Sequence, residues 1–191
     1  RCSVQDFAGT LLAIDTSMGT SVALGSFGRI VEASSEDPRG HAEVIGDLIA
    51  RVFEEFDLSP ADVDAVVAGM GPGPFTGLRV GIAAAHAFAL GSGIPVLPLV
   101  SHDAAALEHL EGHGAKQARV IQDAKRRELF VTEYGGFDSA GVPIRTADPH
   151  LILAADYAAG MADLHPRGVS ATGLLRVAAR RLAAERPFEA D

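Results

Sequence analysis

The chain opens with short apolar runs separated by turn-forming residues. The first run covers 10–15 and ends in a carboxylate, and runs at 20–25 and 29–33 follow after tight turns containing glycine. Short apolar runs between such turns are typical of β-strands, and we expect these three to form an antiparallel meander. From 41 to 57 the apolar residues recur every three to four positions, which is the spacing of one helical face. The chain is therefore expected to begin with three strands and an amphipathic helix.

The pattern continues with a strand at 63–68, a helix that starts near Thr76 and reaches 92, and a strand at 96–99. This order of elements predicts a mixed sheet with helices packed on it, as in one half of a ribonuclease-H-like fold. Six further elements are predicted after residue 100: a helix at 103–110, strands at 119–122 and 128–134, a helix at 154–162, a strand at 168–172 and a helix at 174–185. We therefore predict an α/β protein with two lobes, residues 10–100 and a smaller lobe of residues 101–191.

Composition and charge narrow the functional classes. Of the 191 residues, 48% are hydrophobic and 21% are charged, which is typical of a globular protein. The net charge of −9 argues against a general nucleic-acid binder, because binding to phosphates usually requires a basic face. Residues 1–100 carry 5 basic and 12 acidic side chains, against 11 and 13 in residues 101–191. Any contact with RNA is therefore expected in the second half.

Cysteine usage and hydropathy exclude further classes. Cys2 is the only cysteine, so an intramolecular disulfide and a cysteine metal site are excluded, as fits a reducing cytoplasm. Glycine, proline or charged residues interrupt every apolar stretch well before the roughly 18 residues that a membrane span needs. The first residues also lack the basic-then-apolar order of a signal peptide. We therefore expect a cytoplasmic protein without a membrane segment.

A glycine-rich segment, residues 69–81, lies between a predicted strand and a predicted helix. Gly71 and Gly73 allow close backbone approach, Thr76 can cap the helix, and a helix N-terminus favours an anion. The segment is neither a P-loop nor a dinucleotide fingerprint, because the spacing of both motifs fails. We interpret it as a rigid strand-to-helix turn rather than a phosphate site.

The helix at 76–92 is unusual because small residues occupy more than one of its faces. They are Gly77, Gly81 and the alanines at 83, 84, 85, 87 and 89. Small side chains allow another backbone to approach closely. The pattern leaves two interpretations open, namely tight packing inside the lobe and a helix–helix contact with another protein.

Other residues are candidates for chemistry. Asp15, Thr16 and Ser17 follow the first strand, where a carboxylate either contacts a nucleotide or caps the turn. His109 and His113 stand at the i, i+4 spacing of metal ligands, yet glycines on either side of His113 indicate a helix end, and we predict no metal there. A nucleophile elbow of the form G-x-S-x-G is absent, so the sequence does not support hydrolase chemistry.

A charged turn, residues 123–128, joins two predicted strands. It reads Asp-Ala-Lys-Arg-Arg-Glu and contains three consecutive basic residues. It is interpreted either as an ordinary solvated hairpin or as a small basic spot that contacts an anionic partner.

Three strings together carry a family resemblance: Leu12-Ala13-Ile14-Asp15-Thr16-Ser17, the segment Gly71-Pro72-Gly73-Pro74-Phe75-Thr76-Gly77-Leu78-Arg79-Val80-Gly81, and the charged turn 123–128. In their order and spacing the chain resembles the bacterial TsaB/YeaZ family of tRNA threonylcarbamoyladenosine biosynthesis proteins. The resemblance covers about residues 10 to 185. Pro74 departs from the family, which usually has serine there.

The resemblance implies a two-lobed actin-like, ribonuclease-H-like fold and a role in the threonylcarbamoyl modification of adenosine 37 in tRNA. The family is regarded as the catalytically inactive paralogue of the transferase TsaD. TsaD has a His-x-x-x-His metal pair, and this chain lacks its second histidine, because Ala106 stands four residues after His102. No catalytic residue, metal or intrinsic cofactor is therefore expected, and ATP or ADP is expected only at a complex interface. Asp15, Thr16, Ser17, Gly71 and Gly73 are the candidates for any nucleotide contact.

The expected partners are TsaD and the ATPase TsaE, or a second copy of the chain when TsaD is absent, with tRNA bound only indirectly through the complex. The resemblance implies that the helices 41–57 and 76–92 form the contact, with five residues near its centre: Phe75, Thr76, Arg79, Ala83 and His86.

Two alternative functions remain: an actin-like ATPase or sugar kinase acting through Asp15, and a glycoprotease-like metallopeptidase using His109 and His113.

Overall fold

Two β-sheets and four α-helices form the protein in a computed structural model that describes residues 9–35 and 40–188. The predictions for Cys2 and for the first residues lie outside this range. The described strands are β1 (Thr10–Asp15), β2 (Thr20–Ser26), β3 (Arg29–Ser35), β4 (Ala65–Gly69), β5 (Val96–Leu99), β6 (Ala118–Lys125), β7 (Glu128–Phe137), β8 (Pro143–Leu153) and β9 (Asp163–Leu164). The helices are α1 (His41–Phe56), α2 (Phe75–Ser92), α3 (Ser101–His113) and α4 (Ala171–Ala183).

The first sheet has the strand order β3-β2-β1-β4-β5. Its central strand, β1, pairs antiparallel with β2 and parallel with β4, so that Leu12 lies opposite both Leu24 and Val66. Successive side chains of a strand point to opposite faces, and every residue of β1 is buried. The sheet is therefore covered on both faces, which explains why the four central residues of β1 are all apolar.

Helices from both halves of the chain cover this sheet. Helices α1 and α2 pack on one face, where Leu12 and Ile14 of β1 meet Val52 of α1 and Ala85 of α2. On the other face, Leu11 and Ala13 belong to the same core as residues of α3 and α4, including Leu107 and Leu174. The last of the four described helices, α4, therefore completes the core of the first sheet. The two sheets with their helices confirm the predicted α/β class.

The second sheet has the order β8-β7-β6-β9, and the sequence interpretation missed its longest strand, β8. The helix predicted at 154–162 is wrong, because these residues form a loop with one 3-10 turn at Ala154–Asp156. Polar side chains bind the loop backbone instead. The Arg119 Nη2 group donates to the carbonyl of Ala158 at 2.6 Å, and the amide of Gly160 donates to the Asp163 carboxylate at 2.8 Å.

The strand predicted at 168–172 is also wrong, because this segment leads directly into α4. Ser170 is the N-cap of the helix, and its side chain accepts a hydrogen bond from the amide of Gly173 at 3.2 Å. Within the described residues, the helices are all too short or too polar to cross a membrane.

Candidate functional site

The end of β1 forms a buried polar junction. The Asp15 side chain is 1% exposed, and its Oδ1 atom accepts hydrogen bonds from the amide and the hydroxyl of Ser17, at 2.8 and 2.6 Å. Its Oδ2 atom accepts from the hydroxyl of Ser101 at 2.5 Å, and that hydroxyl accepts from the amide of Gly71 at 2.9 Å. Asp15 thus connects the β1–β2 turn, the start of α3 and the glycine-rich loop.

The glycines of the segment 69–81 lie against this junction. A Cβ atom at Gly69 would stand 1.9 Å from Asp15 Oδ2, one at Gly73 would stand 2.8 Å from the Ser17 carbonyl, and one at Gly81 would stand 2.3 Å from the Thr16 hydroxyl. All three distances are shorter than any ordinary contact. The glycines are therefore required for close packing of the loop and of α2 on the β1–β2 turn, which supports the interpretation as a rigid turn.

Helix α2 has an inward and an outward face. The Thr16 hydroxyl donates to the Gly77 carbonyl at 2.8 Å, and this contact fixes the first turn of the helix. The buried residues of α2 are spaced four apart and face the sheet: Gly77, Gly81, Ala85 and Ala89. The small residues on the inward face of α2 thus serve tight packing against the first sheet, which was one of the two interpretations of the sequence pattern.

All five residues expected at the centre of a partner contact lie together on the outward face of α2. They are Phe75, Thr76, Arg79, Ala83 and His86, and each is exposed. Two apolar side chains stand out on this face, since Phe75 is 67% exposed and Leu90 is 85% exposed. The Arg79 guanidinium covers the Phe75 ring at 3.8 Å from its centroid. We call this exposed set, with Leu90, the outer face of α2.

A buried hydrogen-bond chain connects the junction to the second sheet, and the sequence interpretation missed it. The Gln122 amide nitrogen donates to the Ser17 carbonyl at 3.1 Å, so its oxygen accepts from His102 Nε2 at 2.8 Å. With Nε2 protonated, His102 Nδ1 accepts from the hydroxyl of Thr132 at 2.8 Å. Both ring nitrogens of His102 are therefore used inside the protein.

The His102 chain predicts a pH dependence of stability. Burial lowers the pKa of His102 from 6.5 to about 4. Between these two pKa values the unfolded chain binds a proton at His102 and the folded chain does not. The contribution of His102 to the free energy of unfolding is therefore fully present above pH 6.5 and is lost as the pH falls towards 4. The full loss amounts to roughly 3 kcal/mol. We expect the Tm of the wild type to fall more between about pH 7 and about pH 4.5 than that of His102→Gln. Equal falls in a calorimetric comparison would show that His102 does not carry the effect.

A cleft of about 1060 Å³ opens beside this junction, between the β1–β2 turn, the first turn of α2, the end of β6 and the loop before α4. Two glutamates, Glu32 and Glu108, line it near Ser170, and Lys125 and Arg167 also belong to its lining. The Glu32 carboxylate accepts hydrogen bonds from the Ser170 hydroxyl at 2.9 Å and from the Thr172 amide at 2.8 Å. A carboxylate of the chain thus occupies the N-terminus of α4, where the helix dipole would otherwise favour an anionic ligand.

The acidic part of the cleft carries two exposed carboxylates, those of Glu32 and Glu108. Partial desolvation by the surrounding atoms, with a smaller contribution from the Glu32 charge, raises the pKa of Glu108. A phosphate group would be repelled by these two carboxylates, so this end of the cleft is unsuited to a nucleotide phosphate.

His109 and His113 lie on the outside of α3. Their rings stack with centroids 4.7 Å apart, and His113 Nδ1 hydrogen-bonds to the carbonyl of His109 at 3.2 Å. Within residues 9–35 and 40–188, no group of three His, Cys, Asp or Glu side chains is arranged to hold a metal ion.

Comparisons with known proteins agree with these observations. The profile of the family TsaD, tRNA N6-adenosine threonylcarbamoyltransferase, matches residues 33–167. An uncharacterized protein of Mycobacterium tuberculosis is 38% identical over 158 residues, which are 80% of this chain and 69% of that protein. The tRNA threonylcarbamoyladenosine biosynthesis protein TsaB of Haemophilus influenzae is 35% identical over 125 residues, 65% of this chain and 53% of that protein.

Solved structures share the fold. YeaZ from Pseudomonas aeruginosa superimposes with a TM-score of 0.83 and 23% identity, covering 95% of both chains. A second Pseudomonas aeruginosa structure, described as similar to peptidase YEAZ, gives a TM-score of 0.85 and 24% identity. At this identity the likeness concerns the fold, which is the two-lobed actin-like α/β fold. Family profile, relatives and fold together show that the chain belongs to the TsaD family, within its TsaB/YeaZ group.

Proposed function

We propose that this protein is a non-catalytic partner of a threonylcarbamoyl transferase and supports the formation of threonylcarbamoyladenosine in tRNA. Kinship with TsaB proteins supports its involvement in this modification. The proposed partners are TsaD and TsaE in the cytoplasm, with a second copy of the chain replacing TsaD when TsaD is absent. Any ATP or ADP would be bound at an interface of that complex.

The outer face of α2 is the observation that carries the proposal. A surface helix normally keeps large apolar residues on its buried side, yet Phe75 and Leu90 are exposed here, next to the small exposed side chain of Ala83. Helix α1 packs beside α2, and the rings of Phe53 and Phe88 stack between them at 5.9 Å. The lobe of residues 10–100 would thus offer two neighbouring helices to a matching pair, with an apolar centre and a polar rim.

The hydrogen bonds of the junction support a non-catalytic role. The Asp15 carboxylate, the Ser101 hydroxyl and the His102 ring all bind partners inside the protein. We propose that Asp15, Thr16, Ser17, Gly71 and Gly73 position the start of α2, rather than bind a nucleotide. The contact of Thr16 with Gly77 supports this role, since it joins the junction directly to the helix.

Reconstitution with purified components tests the proposal. We expect tRNA, threonylcarbamoyl-AMP, TsaD and TsaE of the same organism to give threonylcarbamoyladenosine efficiently only when this chain is added. The chain alone should neither modify tRNA nor hydrolyse ATP. Mass spectrometry of nucleosides from digested tRNA measures the product. Equal product without the chain, or no co-elution of the chain with TsaD, would overturn the proposal.

A further inference from the structure

The turn between β6 and β7 has an unusual backbone. Lys125 pairs with Glu128 in the ladder, so Arg126 and Arg127 are the two residues of the loop. The φ angles of Lys125, Arg126 and Arg127 are 65, 52 and 65°, all in the left-handed region. Two-residue hairpin loops with positive φ at both positions strongly prefer Asn-Gly, because other side chains are strained there. The chain thus has three consecutive strained cationic residues, and the two in the loop stand where Asn-Gly would fold more easily. We call Lys125–Arg127 the basic turn.

The side chains of the basic turn are available to a ligand. The Lys125 side chain is 75% exposed, and Arg126 and Arg127 are exposed as well. Lys125 pairs with the Asp123 carboxylate at 2.8 Å, but neither arginine forms an ion pair within the described part of the chain. The turn is also held firmly, because the amide of Ala154 donates to the Arg127 carbonyl at 2.8 Å. Two unpaired guanidinium groups are therefore presented on a fixed backbone.

The basic turn and one further cation line the same cleft. Lys125 of the basic turn and Arg167, in the loop before α4, both line the cleft beside the junction. No other stretch of the sequence contains three consecutive basic residues. The chain is acidic overall, and the basic turn is thus a local concentration of positive charge in its second half.

We propose that the basic turn binds phosphodiester groups of an RNA backbone, and specifically of tRNA. Guanidinium groups match phosphate oxygens with two parallel hydrogen bonds, and strained backbone is typically kept where it serves function. The choice of RNA rests on the proposed function, which brings tRNA to the complex. This chain would then contact tRNA directly, in contrast to the expected indirect contact. Because the chain has a net charge of −9, its contact with tRNA would be limited to the basic turn. This contact would add to the phosphate contacts that the partner proteins make.

Replacing the loop by its preferred sequence tests the proposal. The double variant Arg126→Asn/Arg127→Gly removes both guanidinium groups and relieves the strain. We expect roughly tenfold weaker tRNA binding, and a slope of log affinity against log salt smaller by about 1 to 2. The Tm should rise by about 2–4 °C, since relief of the strain stabilises the fold. Loss of affinity together with a gain in stability distinguishes a binding role from damage to the fold.

Fluorescence anisotropy with a labelled, unmodified tRNA transcript measures the effect, first with the full chain alone at about 50 mM salt and then with TsaD added. Lys116→Asn is the matched control, because it removes one exposed cation at the opposite end of β6, and it should bind within about twofold of the wild type. Equal binding by the wild type and the double variant would overturn the proposal. So would displacement of tRNA by polyglutamate at equal charge, which would assign the turn to an acidic protein. The measurement without TsaD keeps this result separate from any failure of the proposed complex.

Discussion

Ala83→Arg is expected to abolish binding to TsaD while leaving the fold intact. Ala83 lies in the middle of the outer face of α2 and is exposed in the free chain. In a packed helix–helix contact, the arginine would place a long charged side chain among apolar neighbours without a partner for its charge. Such an uncompensated charge costs about 3–5 kcal/mol, so the Kd should increase at least about 100-fold. Titration calorimetry of the purified proteins measures the affinity.

The matched control for this variant is Ala183→Arg, at the exposed end of α4. Arginine is a good helix former, so both variants should keep the Tm of the wild type within about 1–2 °C. Only Ala83→Arg should lose the complex, and it should also make any homodimer of the isolated chain monomeric. Wild-type affinity of the Ala83→Arg protein for TsaD would show that the contact lies on another surface.

Asp15→Ala is expected to be the most destabilising single change at the junction. Removal of the carboxylate leaves the Ser17 amide and the Ser101 hydroxyl buried without their acceptor. Breaking a buried charged network of this kind costs about 3–5 kcal/mol, which corresponds to a fall in Tm of about 10 °C for a chain of this size. Thermal unfolding followed by circular dichroism measures it.

Asp15→Asn separates a positioning role from the rival ATPase role. The amide keeps one acceptor for Ser17 but presents a donor to the Ser101 hydroxyl, so we expect a smaller loss of about 1–3 kcal/mol and weaker TsaD binding. An ATPase that used the Asp15 carboxylate would behave differently. It would bind ATP tightly as wild type and lose hydrolysis in Asp15→Asn with little change in Tm. That result would refute the positioning role.

Local patterns in the sequence were sufficient to predict much of the first sheet and α2. The four central residues of β1, positions 11–14, are all apolar because the strand is buried on both faces, and that pattern is visible without a structure. The outward residues of α2 were identified through family resemblance, and helical periodicity places them on one face. The loop at 154–162 was mispredicted because its alanines favour a helix locally, whereas Arg119, 39 residues away from Ala158, binds its backbone.

The polar junction was only partly visible for the same reason. Asp15 and Ser17 are close in sequence and were identified together, but their contacts with Ser101 and Gln122 span 86 and 105 residues. His102 attracted attention only as half of a metal pair. Its true neighbours, Gln122 and Thr132, lie on two different strands of the second sheet. Local helix and strand propensities and the spacing of residue types do not reveal which residues so far apart in the sequence contact each other.

The packing of α4 on the first sheet also has a consequence for synthesis. The strands of that sheet leave the ribosome before the 71 residues from 100 to 170 that precede α4. At ordinary translation rates this interval lasts roughly 4–14 s, and throughout it the face that carries Leu11, Ala13 and Val67 lacks the cover of α4 and has at most α3 on it. The nascent chain thus exposes part of an apolar sheet that a chaperone would recognise, and it can complete its first core only after α4 has been translated.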